Sequence, residues 1–138
     1  MTDPADEVRL VLVMRSDLPG TKGKMVAQGG HAVQGALLAG AHIVERPEKI
    51  VGMEDGRMVF QQNKVLLVPL TPDLEDWISH GYPKICVRVE SEEALLTLHE
   101  AAKAAGLPSS LVTDLGRTVH HGVPTNTCCS IGPAPKSK

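Results

Sequence analysis

Val8 to Met14, VRLVLVM, is a nearly continuous β-branched and aliphatic run bounded by Ser16, Asp17, Pro19 and Gly20. That is the pattern of a strand buried on both faces. The loop from Arg15 to Lys22 leads into a helix that should begin near Gly23 and fade near Gly40. At about 100° per residue, Lys24, Gln28, His31 and Gly35 fall on one narrow stripe of this helix. Beside it runs a stripe of very small residues, Gly29, Ala32 and Ala36, which lets another backbone approach closely. Val26, Val33 and Leu37 lie mostly opposite and are expected to form the core face. The polar stripe reads either as a functional surface or as a polar packing seam. Strand, polar loop and helix make the opening half of a βαβ unit, and open α/β sheets bind ligands at the carboxyl ends of such strands.

Further along, Glu54, Asp55 and Gly56 signal a turn, Arg57 to Gln61 alternates, and Val65 to Leu70 is strand-like. Together they predict a hairpin at 48–70, projecting from the domain within an inserted stretch 42–70. Thr71, Pro72 and Asp73 start a short helix that runs through Trp77 and stops at Gly81. Lys84 to Glu90 alternates, with Ile85, Val87 and Val89 on one face of a second sheet strand. Ser91, Glu92 and Glu93 then open a helix with a stripe of Leu95, Leu98, Ala102 and Ala105, ending at Gly106. Ser110 to Thr113 and Thr127 to Ile131 are the last strands, before a Gly and Pro tail. Residues 1–7 read as a loose tail, 8–135 as the domain and 136–138 as a second tail.

The length of 138 residues suits one domain with an adequate core. Aromatic residues make up only 2%, so the core must be aliphatic. The chain also has few platforms for stacking single-stranded bases. With a net charge of −2, an anionic partner must be met by a local patch. Arg15, Lys22, Lys24, Arg117, Lys136 and Lys138 lie in segments expected to converge into one. No apolar run approaches the roughly 18 residues that span a membrane, and the acidic start MTDPADE is no signal sequence, so a cytoplasmic location is expected. Cys86, Cys128 and Cys129 read as small buried strand residues. A zinc site from His120, His121 and the last two cysteines would match no common spacing.

A second informative stretch is Asp114 to Thr118, DLGRT, which offers a carboxylate, a guanidinium and a hydroxyl at a strand end. Alone, it reads as an ordinary turn beside a surface charge. With LVLVMRSDL at 10–18, KGKMVAQGGHA at 22–32, YPKICVRV at 82–89, LVTDLGRT at 111–118 and TCCSIGPAP at 127–135, the chain resembles the archaeal and eukaryotic type of peptidyl-tRNA hydrolase. The match runs in order over most of the chain outside 42–70.

The resemblance implies an α/β fold: one three-layer domain with a mixed, about four-stranded sheet and helices on both faces. It also implies hydrolysis of the ester joining a peptide to the 3′-terminal ribose of tRNA. It places the family's catalytic lysine at Lys24, its acidic residue at Asp114, and its two site threonines at Thr118 and Thr127, with Thr125 a competitor for the second. Gln28 and His31 match helix residues near the site. Lys22, Arg117 and Arg15 are implied tRNA contacts. No metal or organic cofactor is implied; the partner is peptidyl-tRNA, with no membrane, and the family often forms homodimers. Ester hydrolysis needs an activated water or hydroxyl, stabilisation of a tetrahedral oxyanion, and help for the departing ribose oxygen. An ion pair between Lys24 and Asp114 would fix the ammonium as a clamp, with the threonines orienting water. Which group takes the proton stays open, a threonine nucleophile included. The alternative function is a catalytically weak relative that binds tRNA or a protein partner.

Overall fold

The computed structural model describes residues 6–115 and 123–137. In chain order the elements are β1 (Val8–Arg15), α1 (Lys22–Leu38), β2 (His42–Glu54), β3 (Arg57–Leu67), α2 (Pro72–Ser79), β4 (Lys84–Val89), α3 (Glu92–Ala104), β5 (Ser109–Asp114) and β6 (Thr125–Pro135). Four strands form one mixed sheet in the order β4-β1-β6-β5. β1 runs parallel to β4 and antiparallel to β6, and β5 is antiparallel to β6. Leu12 comes within 4.0 Å of where a Cβ on Gly29 of α1 would stand. Val13, its neighbour, packs instead with Leu95 of α3 and Cys129. Consecutive strand residues point to opposite faces, so helices cover both faces of the sheet, as the resemblance implied. No helix among the described residues is long and apolar enough to cross a membrane.

Each helix starts on a capping hydroxyl: Thr21, Thr71 and Ser91 accept the backbone N–H of Lys24, Leu74 and Ala94. This satisfies donors that have no partner inside the helix. Trp77 is buried and donates its indole N–H to the Pro83 carbonyl at 2.8 Å. Its ring meets Tyr82 edge-on, with centroids 5.3 Å apart. The single tryptophan thus ties α2 to the entrance of β4.

Residues 40–69 form a separate compact unit. Within it β2 and β3 pair antiparallel from His42↔Leu67 to Glu54↔Arg57. The hairpin is therefore real but begins earlier than expected, at His42 rather than 48. Its turn falls on Asp55 and Gly56, both at positive φ (48° and 74°), as the favoured two-residue hairpin turn requires.

Several expectations are corrected. Val26 is 75% exposed, while Gln28 and Ala32 are the buried residues of α1. The small-residue stripe, rather than Val26, lies against the sheet, while Val33 and Leu37 are half-buried. A Cβ on Gly35 would collide with Ser110, whose own Cβ would lie only 3.1 Å away. On α3 the buried face is Leu95, His99 and Ala102, with Leu98 39% exposed. His99 is accommodated because its Nδ1 bonds Ser109 Oγ at 2.7 Å. Ile85 and Val87 are each 40% exposed and Cys86 is exposed too, since β4 is an edge strand with a neighbour on one side only. β6 continues through the expected Gly and Pro tail to Pro135. There Gly132, at φ 106°, passes so close to Arg9 that a Cβ would stand 2.8 Å from its carbonyl oxygen. Asp6 accepts from the backbone and hydroxyl of Ser137, and Glu7 from Lys136 N–H, so the two expected tails are joined at these residues.

Candidate active site

Three segments far apart in sequence meet where β1 and β5 end. The Thr21 cap sets Lys24 in the first turn of α1, and the glycine contact at Gly35 holds that helix close to β5. β5 delivers Asp114 as its last residue. On β6 the pairing skips a residue: Cys128 opposes Val112, yet Asn126 opposes Thr113. The extra residue is Thr127, and such a bulge re-aims a side chain. Thr127 Oγ1 and Cys128 Sγ consequently both reach Gln28, at its side-chain oxygen (2.8 Å) and its backbone carbonyl (3.3 Å).

Lys24 Nζ stands 3.1 Å from Asp114 Oδ2. Gln28 Nε2 donates to the same carboxylate oxygen at 2.8 Å. Gln28, 6% exposed, thus links Asp114 to Thr127, which is 4% exposed. A side-chain amide carries a donor and an acceptor on separate atoms, so it can donate to a carboxylate and accept from a hydroxyl at once. The charge-assisted bonds to Asp114 are the stronger members of the chain.

Lys24, Gln28 and Asp114 of this row line a cavity of about 540 Å³, with His31, Gly35, Ser110 and Thr113 also on its lining. Lys24 and Gln28 also line a second cleft, of about 240 Å³, reaching toward Met14, Leu18, Pro19 and Met25.

Lys24, Gln28, His31, Asp114 and Thr127 are therefore brought together, the first four around the larger cavity. Lys22 is exposed at the start of α1. Arg117 and Thr118 lie outside the described residues, as do His120 and His121. Thr125, the competitor of Thr127, donates instead to the Val123 carbonyl. The Arg15 guanidinium forks onto Asp17 at 3.0 and 2.7 Å, donates to the Asn126 carbonyl and lies 3.8 Å from Glu92. The hydrogen bond with Asp17 raises the Arg15 pKa and lowers that of Asp17. The cations do not all converge. Lys136 follows β6 at the Val8 end of β1, roughly 20 Å along the strand from Arg15.

No group of three or more metal-ligating side chains occurs among the described residues. Cys128 and Cys129 are buried, and burial pushes the Cys129 thiol up to about 11. Ser110 and Thr113 line the cavity without having been singled out in the sequence. Their signal was faint: polar residues in a short strand where apolar ones would be ordinary.

The peptidyl-tRNA hydrolase PTH2 family model matches residues 8–138. A peptidyl-tRNA hydrolase of Methanocaldococcus jannaschii is 32% identical over 132 residues, covering 95% of this chain and 90% of that protein. One of Methanopyrus kandleri is 36% identical over 124 residues, 89% of this chain and 82% of its own length. One of Sulfolobus acidocaldarius is 32% identical over 130 residues, 94% and 89% of the two chains. With a match over almost its whole length, this chain belongs to the peptidyl-tRNA hydrolase PTH2 family.

Proposed function

We propose that this chain hydrolyses the ester bond between peptide and tRNA in peptidyl-tRNA, with Lys24 and Asp114 at the centre of the reaction. The supporting observation is the hydrogen-bonded row from Lys24 through Asp114 and Gln28, which line the cavity, to the buried Thr127 behind them. An ammonium held at a fixed place can stabilise the oxyanion that forms when a hydroxyl or water adds to the ester carbonyl. Such preorganised electrostatic groups typically contribute about 10²–10³ in rate. Asp114 holds the ammonium in place and presents an acceptor for the attacking hydroxyl. Gln28 and Thr127 act as positioning residues: their bonds are made inside the protein, and they fix the direction of Asp114. His31, on the same wall of the cavity, can bond the leaving ribose.

The reading further assigns Thr118 to the site and Lys22 and Arg117 to tRNA phosphates. It takes residues 8–135 as the catalytic domain with 42–70 inserted, a cytoplasmic setting, and a homodimer that sedimentation of the purified chain would test. The decisive experiment is release of free tRNA from a peptidyl-tRNA by wild type, Lys24→Ala and Asp114→Asn. Wild-type turnover with loss in both folded variants is expected. Unchanged turnover by both would overturn the roles, and a folded wild type that binds the substrate without cleaving it would overturn the activity.

A further inference from the structure

The substrate of an ester hydrolase has two arms that diverge from the reacting carbon, and here two clefts diverge from one wall. Lys24 and Gln28 are common to both. The larger cavity, with His31, Ser110 and Thr113, offers hydroxyl and imidazole groups suited to ribose and phosphate. The smaller one differs in size, lining and charge. At about 240 Å³ it falls below the 300–1,000 Å³ usual for whole small-molecule ligands, so it suits a single side chain better than a nucleoside. Met14, Leu18, Pro19 and Met25 supply apolar surface. The thioethers adapt to ligands of varied shape, with Met14 7% and Met25 51% exposed. Its cation besides Lys24 is Arg15, already set against Asp17 and Glu92. That guanidinium, already paired, has less to offer a phosphate than an unpaired one would, whereas an apolar side chain can use the surface of Met14, Leu18, Pro19 and Met25.

We propose that this cleft receives the side chain of the amino acid esterified to the tRNA, and that it favours large apolar side chains over glycine. The inference rests on the hydrolase reading above. It makes Met25 a specificity-determining residue at the rim.

The test uses one tRNA, acylated chemically with either N-acetylphenylalanine or N-acetylglycine, and reads the ratio of kcat/KM for the two esters. Wild type should favour the phenylalanine ester at least about ten-fold, the lower end of what one hydrophobic pocket discriminates. Met25→Trp, which fills the cleft, should lower that ratio about ten-fold whatever happens to the absolute rates. Met25→Ala, at an exposed helix position that tolerates truncation, should lower it about three-fold by removing one wall. Circular dichroism checks that each variant is folded. A wild-type ratio near one, or a ratio unchanged in both variants, overturns the assignment. So does an equal rise in KM for both esters, which would put the terminal nucleoside in this cleft. A wild type that cleaves neither ester overturns the hydrolase reading itself, and a wild type that cleaves both equally overturns the cleft alone.

Discussion

Arg15 and Lys24 both stand against aspartates at the end of the sheet where β1 and β5 finish, but their surroundings differ. Arg15 meets Asp17 two residues away in a two-bond fork, with Asn126 and Glu92 completing its shell. That arrangement is local, and carboxylates outnumber the cation. Lys24 meets Asp114 across ninety residues, on the wall of a cavity, and the same carboxylate is held from behind by Gln28. A flexible ammonium placed by distant elements is costly to organise, and it makes sense where a substrate must be met. A planar guanidinium held by three hydrogen bonds to its neighbours makes sense as a fastener for a loop. Sign of charge alone does not separate the two; what each group faces does.

The largest test of this contrast is chemical. Asp114→Asn and Lys24→Ala should each lower kcat/KM for a peptidyl-tRNA by about 10²–10³, whereas Asp17→Asn should leave it close to wild type. Equal losses in all three would erase the distinction. Next in size, Gln28→Ala removes the support behind Asp114 and strands the buried Thr127 hydroxyl. We expect kcat to fall on the order of ten-fold, with a loss of about 1–3 kcal/mol in denaturant unfolding. Thr127→Ser should keep most activity because the hydroxyl is retained, and Thr127→Val should behave like Gln28→Ala. If Thr127→Val were as active as wild type, Thr127 would be packing and nothing more.

Gly35→Ala probes how the long-range pair is assembled. The added methyl meets Ser110 and should cost about 1–3 kcal/mol of stability, with a smaller loss of activity as Lys24 shifts from Asp114. Smaller again, Arg117→Gln should reduce the slope of log binding constant against log salt by about 0.7–0.9, the value for one phosphate contact. Arg15→Gln should leave that slope unchanged, because its guanidinium is already paired.

The smallest effect concerns a third, local pair. His80 Nδ1 lies 2.8 Å from Asp76 Oδ1 on the surface. Its pKa is raised from 6.5 by the hydrogen bond to the Asp76 backbone and by the Asp76 charge. A raised folded value means that protonation stabilises the fold. The contribution is fully present below the unfolded pKa and fades as pH rises through the higher folded one. Melting curves of wild type and His80→Gln should therefore differ slightly in mild acid and coincide in alkaline buffer.

Much of this architecture follows from local pattern. The apolar run of β1, the capping residues Thr71 and Ser91, and the Asp55 and Gly56 turn are decided within a few residues of themselves. These signals placed the helix starts and the hairpin turn close to where they stand. The family and its activity were also legible, in motifs such as KGK, GRT and IGPAP taken in order. Errors cluster where a residue's environment is supplied from elsewhere. Val26 has the character of a core residue, yet none of the described elements covers it. Cys86, Ile85 and Val87 belong to a strand that lies at the edge of the sheet. Their exposure depends on strand order, which periodicity does not carry.

By itself the sequence determined which segments are helix and strand, and which residue types were available for an ester-cleaving site. Side-chain chemistry and backbone preference act over a few neighbours, so those choices were made locally. Only the tertiary structure decided that the small face of α1 lies on the sheet, that the bulge turns Thr127 toward Gln28, and that Lys24 meets Asp114 on the wall of the cavity. Each of these depends on the approach of backbones distant along the chain, set by packing and hydrogen-bond closure rather than by any residue's own preference.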